Sequence, residues 1–405
     1  MNNAPARPLE AAIRGRPYTA APVLLGGVGG PDATAYRIGA CRALEGALGL
    51  EVDERTEAAR RLLCCAAWIA GHATHIHLVQ APGYLDRPDA ASLARAEPEA
   101  VARGLALYRL GADLAEAVGR GTFEPCSVHL GRFWPPPEQA ALTRLLPRLR
   151  DAVGAARRTV HWVCGFDIPE SVLDVPMLAL DDPARTPSEL GAARYPLDGG
   201  IGVLVSNGLG FPLADFESFV SRPRSAADHP TRAALRGTRA VLTGPLARYA
   251  LCGRALRPAA RDAARYAGLE RGERNPHRSV LVRAVELVHA LEEAAELVER
   301  FEPPPAARPP KPRAGRGLAA VEGPSGLLYQ RYDLAPDGTV TAVRLVGPGE
   351  LNRTAIELDL RRTARETRRR DPGNPAARLA AQRAALEHLY QPCVPGPVPA
   401  PHPGA

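Results

Sequence analysis

The chain has 405 residues, 45% of them hydrophobic and 23% charged, enough to bury a large core as one big domain or two ordinary ones. Its net charge of +7 is carried by arginine, with Lys311 the only lysine, and the arginines are interleaved with glutamates; even the densest run, 361–370, is interrupted by Glu366, which argues against a nucleic-acid partner. Seven scattered cysteines form no C-x-x-C pair, which fits buried thiols in a reducing cytoplasm and argues against a disulfide framework.

The start of the chain lacks the charged start and apolar core of a signal peptide. Leu25-Gly26-Gly27-Val28-Gly29-Gly30-Pro31-Asp32 reads as a glycine-rich turn before a helix. Such a turn can cradle an anion with its N–H groups, or serve only as a tight loop; it is neither G-x-G-x-x-G nor a Walker sequence. A helix is expected over Ala35–Leu48. A longer one follows Asp53 as its cap, runs through Trp68 towards Gln80 and is ended by Pro82. Its broad apolar stretch predicts burial nearly all round. The run Leu62–Val79 carries His72, His75 and His77, and reads as too short and too polar to span a membrane.

Glu99–Arg120 and Glu138–Arg157 are amphipathic, separated by a loop closed by Pro135, Pro136 and Pro137. Between Phe166 and His229 only Ile201–Val205 reads as a strand. Arg278–Phe301 is the strongest helix, with Asn275 as cap and Pro276 at its first position. Pro303–Pro312 is a stiff connector. A hairpin follows, Leu327–Leu334 and Thr339–Val346 about a turn at Pro336-Asp337-Gly338, and then helices near Thr354–Arg368 and Ala376–Tyr390. The expected fold is mainly α with small antiparallel β additions (α+β). We take 1–405 as one domain: a helical core over 1–302, a connector over 303–316, and the hairpin with the C-terminal helices over 317–405.

Three clusters carry polar groups inside apolar sequence. His72 and His75 stand one turn apart, a spacing that can bind a metal, but no acidic third ligand lies nearby, so a core or interface pair fits better. Arg248 in Gly244-Pro245-Leu246-Ala247-Arg248-Tyr249 calls for a buried ion pair. Arg283 and Glu286, three apart, read as a local pair.

Taken together these segments resemble the large (alpha) subunit of NiFe hydrogenases, closest to the cytosolic bidirectional and sulfhydrogenase type. Arg7-Pro8-Leu9-Glu10 to Gly15-Arg16-Pro17 is similar to R-G-F-E…G-R-P, and Trp68-Ile69 to His75 is similar to W-I-x-S-H-x-x-H. Gly244–Tyr249 resembles G-P-L-A-R-Y. Asn275-Pro276-His277-Arg278-Ser279 with Arg283–Glu286 resembles N-P-F-R-S…R-A-V-E, and Glu302-Pro303-Pro304 resembles E-P-P. The matches keep their order over nearly the whole chain.

The metal-binding motifs depart from the family. Its N-terminal C-G-x-C falls on Gly26-Gly27-Val28-Gly29, with glycine in place of both cysteines. Its C-terminal D-P-C-x-x-C-x-x-H falls on Gln391-Pro392-Cys393-Val394-Pro395-Gly396, with Pro399 in place of the histidine. In the family four thiolates hold nickel, and two of them bridge to iron; here only Cys393 survives, and glycine offers no side-chain ligand. The arginine that overhangs the metals falls on Ser325, and the strand histidine after it on Gln330. Glu10 is retained at the position of the family's proton-relay glutamate, a role left in doubt by the missing thiolates.

The resemblance implies a hydrogenase large-subunit fold in which both terminal motifs meet at a buried centre. It implies the large half of an iron–sulfur electron-transfer complex with no metal bound by this chain itself, the family's NiFe centre being lost and the iron–sulfur clusters lying in the small-subunit partner. The alternatives are an assembly scaffold that binds hydrogenase maturation proteins, and an active H2-oxidising or H2-evolving subunit with a remodelled site. His72 and His75 would lie at the partner interface.

Overall fold

The structure is a computed structural model describing residues 6–28, 30–121, 126–183, 193–222 and 232–370. Gly29, Cys393, Gly396 and the expected helix Ala376–Tyr390 lie outside the described residues.

The centre of the molecule is the helix Ser279–Glu299, with 16 of its 21 residues buried, polar Glu286, His289 and Glu293 among them. Its entry follows from local chemistry. Asn275 accepts from the His277 N–H, and Pro276–Arg278 form a single 3-10 turn before the α-helix begins. Against it pack the helix Glu54–Thr74, capped by Asp53 accepting from the Arg55 N–H, and the helix Gln139–Val163. The latter runs six residues past the expected end at Arg157, to Val163, and carries Pro147 inside it.

The Glu54 helix does not stop at Pro82. It widens into a π-helical turn over His75–Gln80 and continues as Ala81–Tyr84. The wide turn re-registers the ladder, so Pro82 stands in a first-turn position where its missing N–H leaves no bond unmade. The continuous run Glu54–Tyr84 is 31 residues, long and apolar enough by composition to cross a bilayer, which corrects the expectation that it was too short. Its apolar window is 67% buried inside the protein, so packing accounts for its composition.

The expected hairpin is two-thirds of a three-stranded antiparallel sheet ordered Val340–Val346, Gly326–Leu334, Gly315–Gly323. The added strand lies on the helix Ala33–Leu48, and glycine makes the approach feasible: a Cβ on Gly317 would sit 2.0 Å from the Ala43 carbonyl oxygen. A second antiparallel sheet, ordered Ala193–Arg194, Leu178–Pro183, Gly202–Val205, Gly210–Pro212, includes the strand expected at 201–205. Its apolar face joins Phe216, which stacks on Tyr329 with ring centroids 4.1 Å apart. The connector has no regular structure through 303–314 and is held by the Tyr18 hydroxyl donating to the Pro310 carbonyl at 2.7 Å.

Candidate functional site

The glycine-rich turn begins where the helix Ala20–Gly26 ends, with the Gly27 N–H donating to the Val23 carbonyl at 3.1 Å. The turn leads to Asp32, which is 2% exposed. Asp32 does not cap the helix it precedes. Its Oδ1 accepts from the Ser325 N–H at 3.1 Å, tying the turn to the bend between the two long strands. A Cβ on Gly323 would lie 2.3 Å from that same oxygen, so the residue facing Asp32 has to be glycine. Pro31 and Pro324 both close on Gly71, one residue before His72. The structure thus brings the Gly26 turn, Ser325 and the histidine helix together.

At Gly26 the side-chain space belongs to Arg37. A Cβ built there would lie 3.1 Å from Arg37 Cδ and 3.2 Å from its Nη1. Arg37 is buried and donates through Nε to the Val128 carbonyl and through Nη2 to the Cys126 carbonyl, both at 3.0 Å. A guanidinium offers donors and no lone pair, and its charge repels a metal cation. Among the described residues no three His, Cys, Asp or Glu side chains are grouped to hold a metal ion. The described residues therefore do not fit a nickel–iron centre.

Glu10 is held by the last strand and by an arginine. It accepts from the Leu345 N–H at 2.8 Å and from Arg222 Nη1 at 3.0 Å. Arg222 also binds Glu350 through Nε and Nη2, each at 2.9 Å, and donates to the Leu345 carbonyl. Burial pushes the Glu350 carboxyl up, against the pull of Arg222. Glu10 thus clamps the first helix to the last strand and to the start of the helix Pro348–Arg370. Asn352, two residues beyond Glu350, brackets Thr243, accepting its N–H at 2.7 Å and donating to its carbonyl at 3.1 Å. Between Thr243, Ser279, Arg283, Ser325 and Asn352 lies a cavity of about 20 Å³, room for a single water. Ser279 Oγ is buried there with no hydrogen-bond partner in the protein.

His72 and His75 are 0% and 1% exposed. Neither side chain is on a surface of this chain; the helix that carries them packs in its core. His72 belongs to a buried ion network. Its Nε2 lies 3.0 Å from Glu286, and Arg283 Nη1 donates to its Nδ1 at 3.4 Å. These contacts select the neutral Nε2–H tautomer. Burial pushes the imidazole down to about 4, with Arg283 and Arg248 adding to the shift and Glu286 opposing it.

Arg248 is the hub. It binds Glu286 through Nε at 2.8 Å and Nη2 at 2.9 Å, and binds Glu322 and the Gly323 carbonyl through Nη1. Its guanidinium stacks over Trp68 at 4.3 Å, and Tyr195 donates to Glu286 at 2.7 Å. The buried ion pair expected for Arg248 is present. The expected local pair of Arg283 and Glu286 is not: Glu286 faces Arg248, while Arg283 donates to the Pro324 carbonyl at 3.2 Å. Burial opposes ionisation of Glu286, but Arg248 outweighs it and the carboxyl is pushed down. Glu322 shares only one guanidinium nitrogen and faces Glu286 besides; burial pushes it up to about 7. Sequence reasoning missed Glu322 and Tyr195. The signal for Glu322 was there, a carboxylate closing the apolar run Leu318–Val321.

No family model matches the chain. It is similar to the alpha chain of sulfhydrogenase 2 from Pyrococcus furiosus, with 24% identity over 367 residues, covering 89% of this chain and 82% of the relative. It is similar also to a component of the F420-non-reducing hydrogenase vhu from Methanococcus voltae, with 23% identity over 387 residues, covering 88% and 89%. Among solved structures, an NAD+-reducing [NiFe]-hydrogenase in the H2-reduced state superimposes with a TM-score of 0.77 at 19% identity, over 95% of this chain and 89% of that one. The Ni-Fe-Se hydrogenase of D. vulgaris Hildenborough gives 0.71 at 15% identity, over 95% and 90%. Sequence similarity along nearly nine-tenths of its length ties the chain to the alpha chains of hydrogenases, and its fold is that of NiFe hydrogenase large subunits.

Proposed function

We propose that this chain is a degenerate large subunit: it forms the large half of a cytoplasmic iron–sulfur electron-transfer complex without assembling a nickel–iron centre. The observation that carries the reading is Arg37, whose side chain crowds the space beside Gly26, where the family motif places a thiolate. The glycine at position 29 and the single cysteine near the C-terminus, Cys393, support it from the sequence. The intact Arg248 network supports retention of the scaffold, and the relatives' names place this scaffold in hydrogenases.

An active H2-converting site would need ligands other than cysteine at three of the four thiolate positions, and no described residue supplies them. Docking would use a surface other than the side chains of His72 and His75. The test is co-purification of the tagged full chain from its native host. Recovery of an iron–sulfur small subunit, with no H2-dependent dye reduction by the complex, is the expected result. H2-dependent reduction by the purified complex would overturn the degenerate reading. Recovery of a complete second large subunit with maturation proteins, and no small subunit, would replace it with the assembly-scaffold reading.

A further inference from the structure

A cleft of about 200 Å³ opens beside the helix Ala20–Gly26, walled on its other sides by the hairpin Val128–Phe133 and by Pro309 and Pro310 of the connector. Three basic side chains line it: Arg37, His129 and Arg132. No carboxylate does. Glu45, which reaches the hairpin at the Gly131 N–H, is committed to Arg60 and lies outside the lining. The remaining wall is apolar, with Pro22, Val23 and Leu130.

The basic groups are held in place. Arg37 is anchored to two backbone carbonyls, and Arg132 donates to the Ala307 carbonyl at 3.1 Å while its guanidinium lies 5.7 Å from the Trp134 ring centre. His129 registers the field of the cleft. Burial pushes its imidazole down, and both arginines push it further in the same direction. A half-enclosed space with one sign of charge, fixed donors and an apolar wall is built to receive an anion. Its volume is below that of pockets for drug-sized ligands, which start at about 300 Å³.

We propose that this cleft binds a small organic anion, a carboxylate on a short apolar body, with the guanidinium of Arg132 and the positive field of Arg37 holding the carboxylate beside the neutral His129 ring. The inference rests on the cleft alone and stands whether or not the chain pairs with a small subunit.

The test uses benzoate as probe and benzamide as its neutral isostere, titrated calorimetrically into the full chain, with the His129 resonances followed by NMR. Benzoate should bind saturably and benzamide at least about tenfold more weakly, since a charge-assisted contact is worth at least the 1.4 kcal/mol of a tenfold ratio. Bound benzoate should raise the pKa of His129, because an opposite charge favours the imidazolium. Arg132→Gln, on a partly buried side chain and checked for an unchanged unfolding transition, should weaken benzoate and leave benzamide as it was. Arg132→Lys should recover part of the affinity. Equal binding of benzoate and benzamide, benzoate affinity unmoved by Arg132→Gln, or a His129 titration unchanged at saturating benzoate would each overturn the proposal.

Discussion

The Arg248 network and the Gly26 turn meet at the same bend of chain, 323–325, and differ in what has been kept. Arg248 donates to the Gly323 carbonyl on one side of the bend, and Asp32 accepts from the Ser325 N–H on the other. On the Arg248 side the residues that resemble the family's motifs form a network whose charges are partnered inside the core. On the Gly26 side the ligand positions carry glycine, and an arginine holds the space. The contrast teaches that the two sets of residues answer to different requirements. A buried ion network cannot lose one partner without stranding another, so it is tied to folding itself. A thiolate set is tied only to the metal it binds, and the turn that carries it folds as well with glycine and a buried arginine.

The largest test of that contrast is Glu286→Gln. It leaves Arg248 with a neutral partner in a dry core, and removing a charge from such a pair costs about 3–5 kcal/mol. Urea unfolding should show that loss, and a change below about 1 kcal/mol would mean the network is not what holds the scaffold. Gly26→Cys is the matching change on the other side. It should cost about 1–3 kcal/mol, because the thiol meets Arg37, and the cost should shrink in an Arg37→Ala background. Equal costs in both backgrounds would show that Arg37 does not fill that space.

The smallest effect sharpens the comparison within the network. Glu322 is held at about 7 in the folded chain against an ordinary 4.5, so between those values the native state keeps a proton that the unfolded state releases. Stability from this group should therefore fall as pH rises through that window. Glu322→Gln should remove that slope while leaving the opposite one from His72, whose neutral form is lost from the folded state only near 4. The same slope in the variant and the parent would place the titration elsewhere.

The helices were legible because their signals are local. Asn275 and Pro276 open the central helix as expected, and Asp53 caps the histidine helix as expected. The strand Gly315–Gly323 was not legible, since glycines 315 and 317 read as a loop until the helix Ala33–Leu48 is laid against them. The π turn at His75–Gln80 was hidden for a similar reason, as it leaves the apolar pattern of the helix unbroken. Of the site, the missing thiolates could be read directly from the aligned motifs. Arg37 could not: an arginine on a short helix resembles a solvated face, and its burial depends on carbonyls of Cys126 and Val128, about ninety residues away.

The most direct test of the central claim is metal analysis of the full chain, expressed with a complete hydrogenase maturation system and an iron–sulfur small subunit. With Arg37 beside Gly26 and glycine at three of the four family ligand positions, the purified chain should carry no stoichiometric nickel. Nickel at one per chain, with iron beside it, would contradict the account.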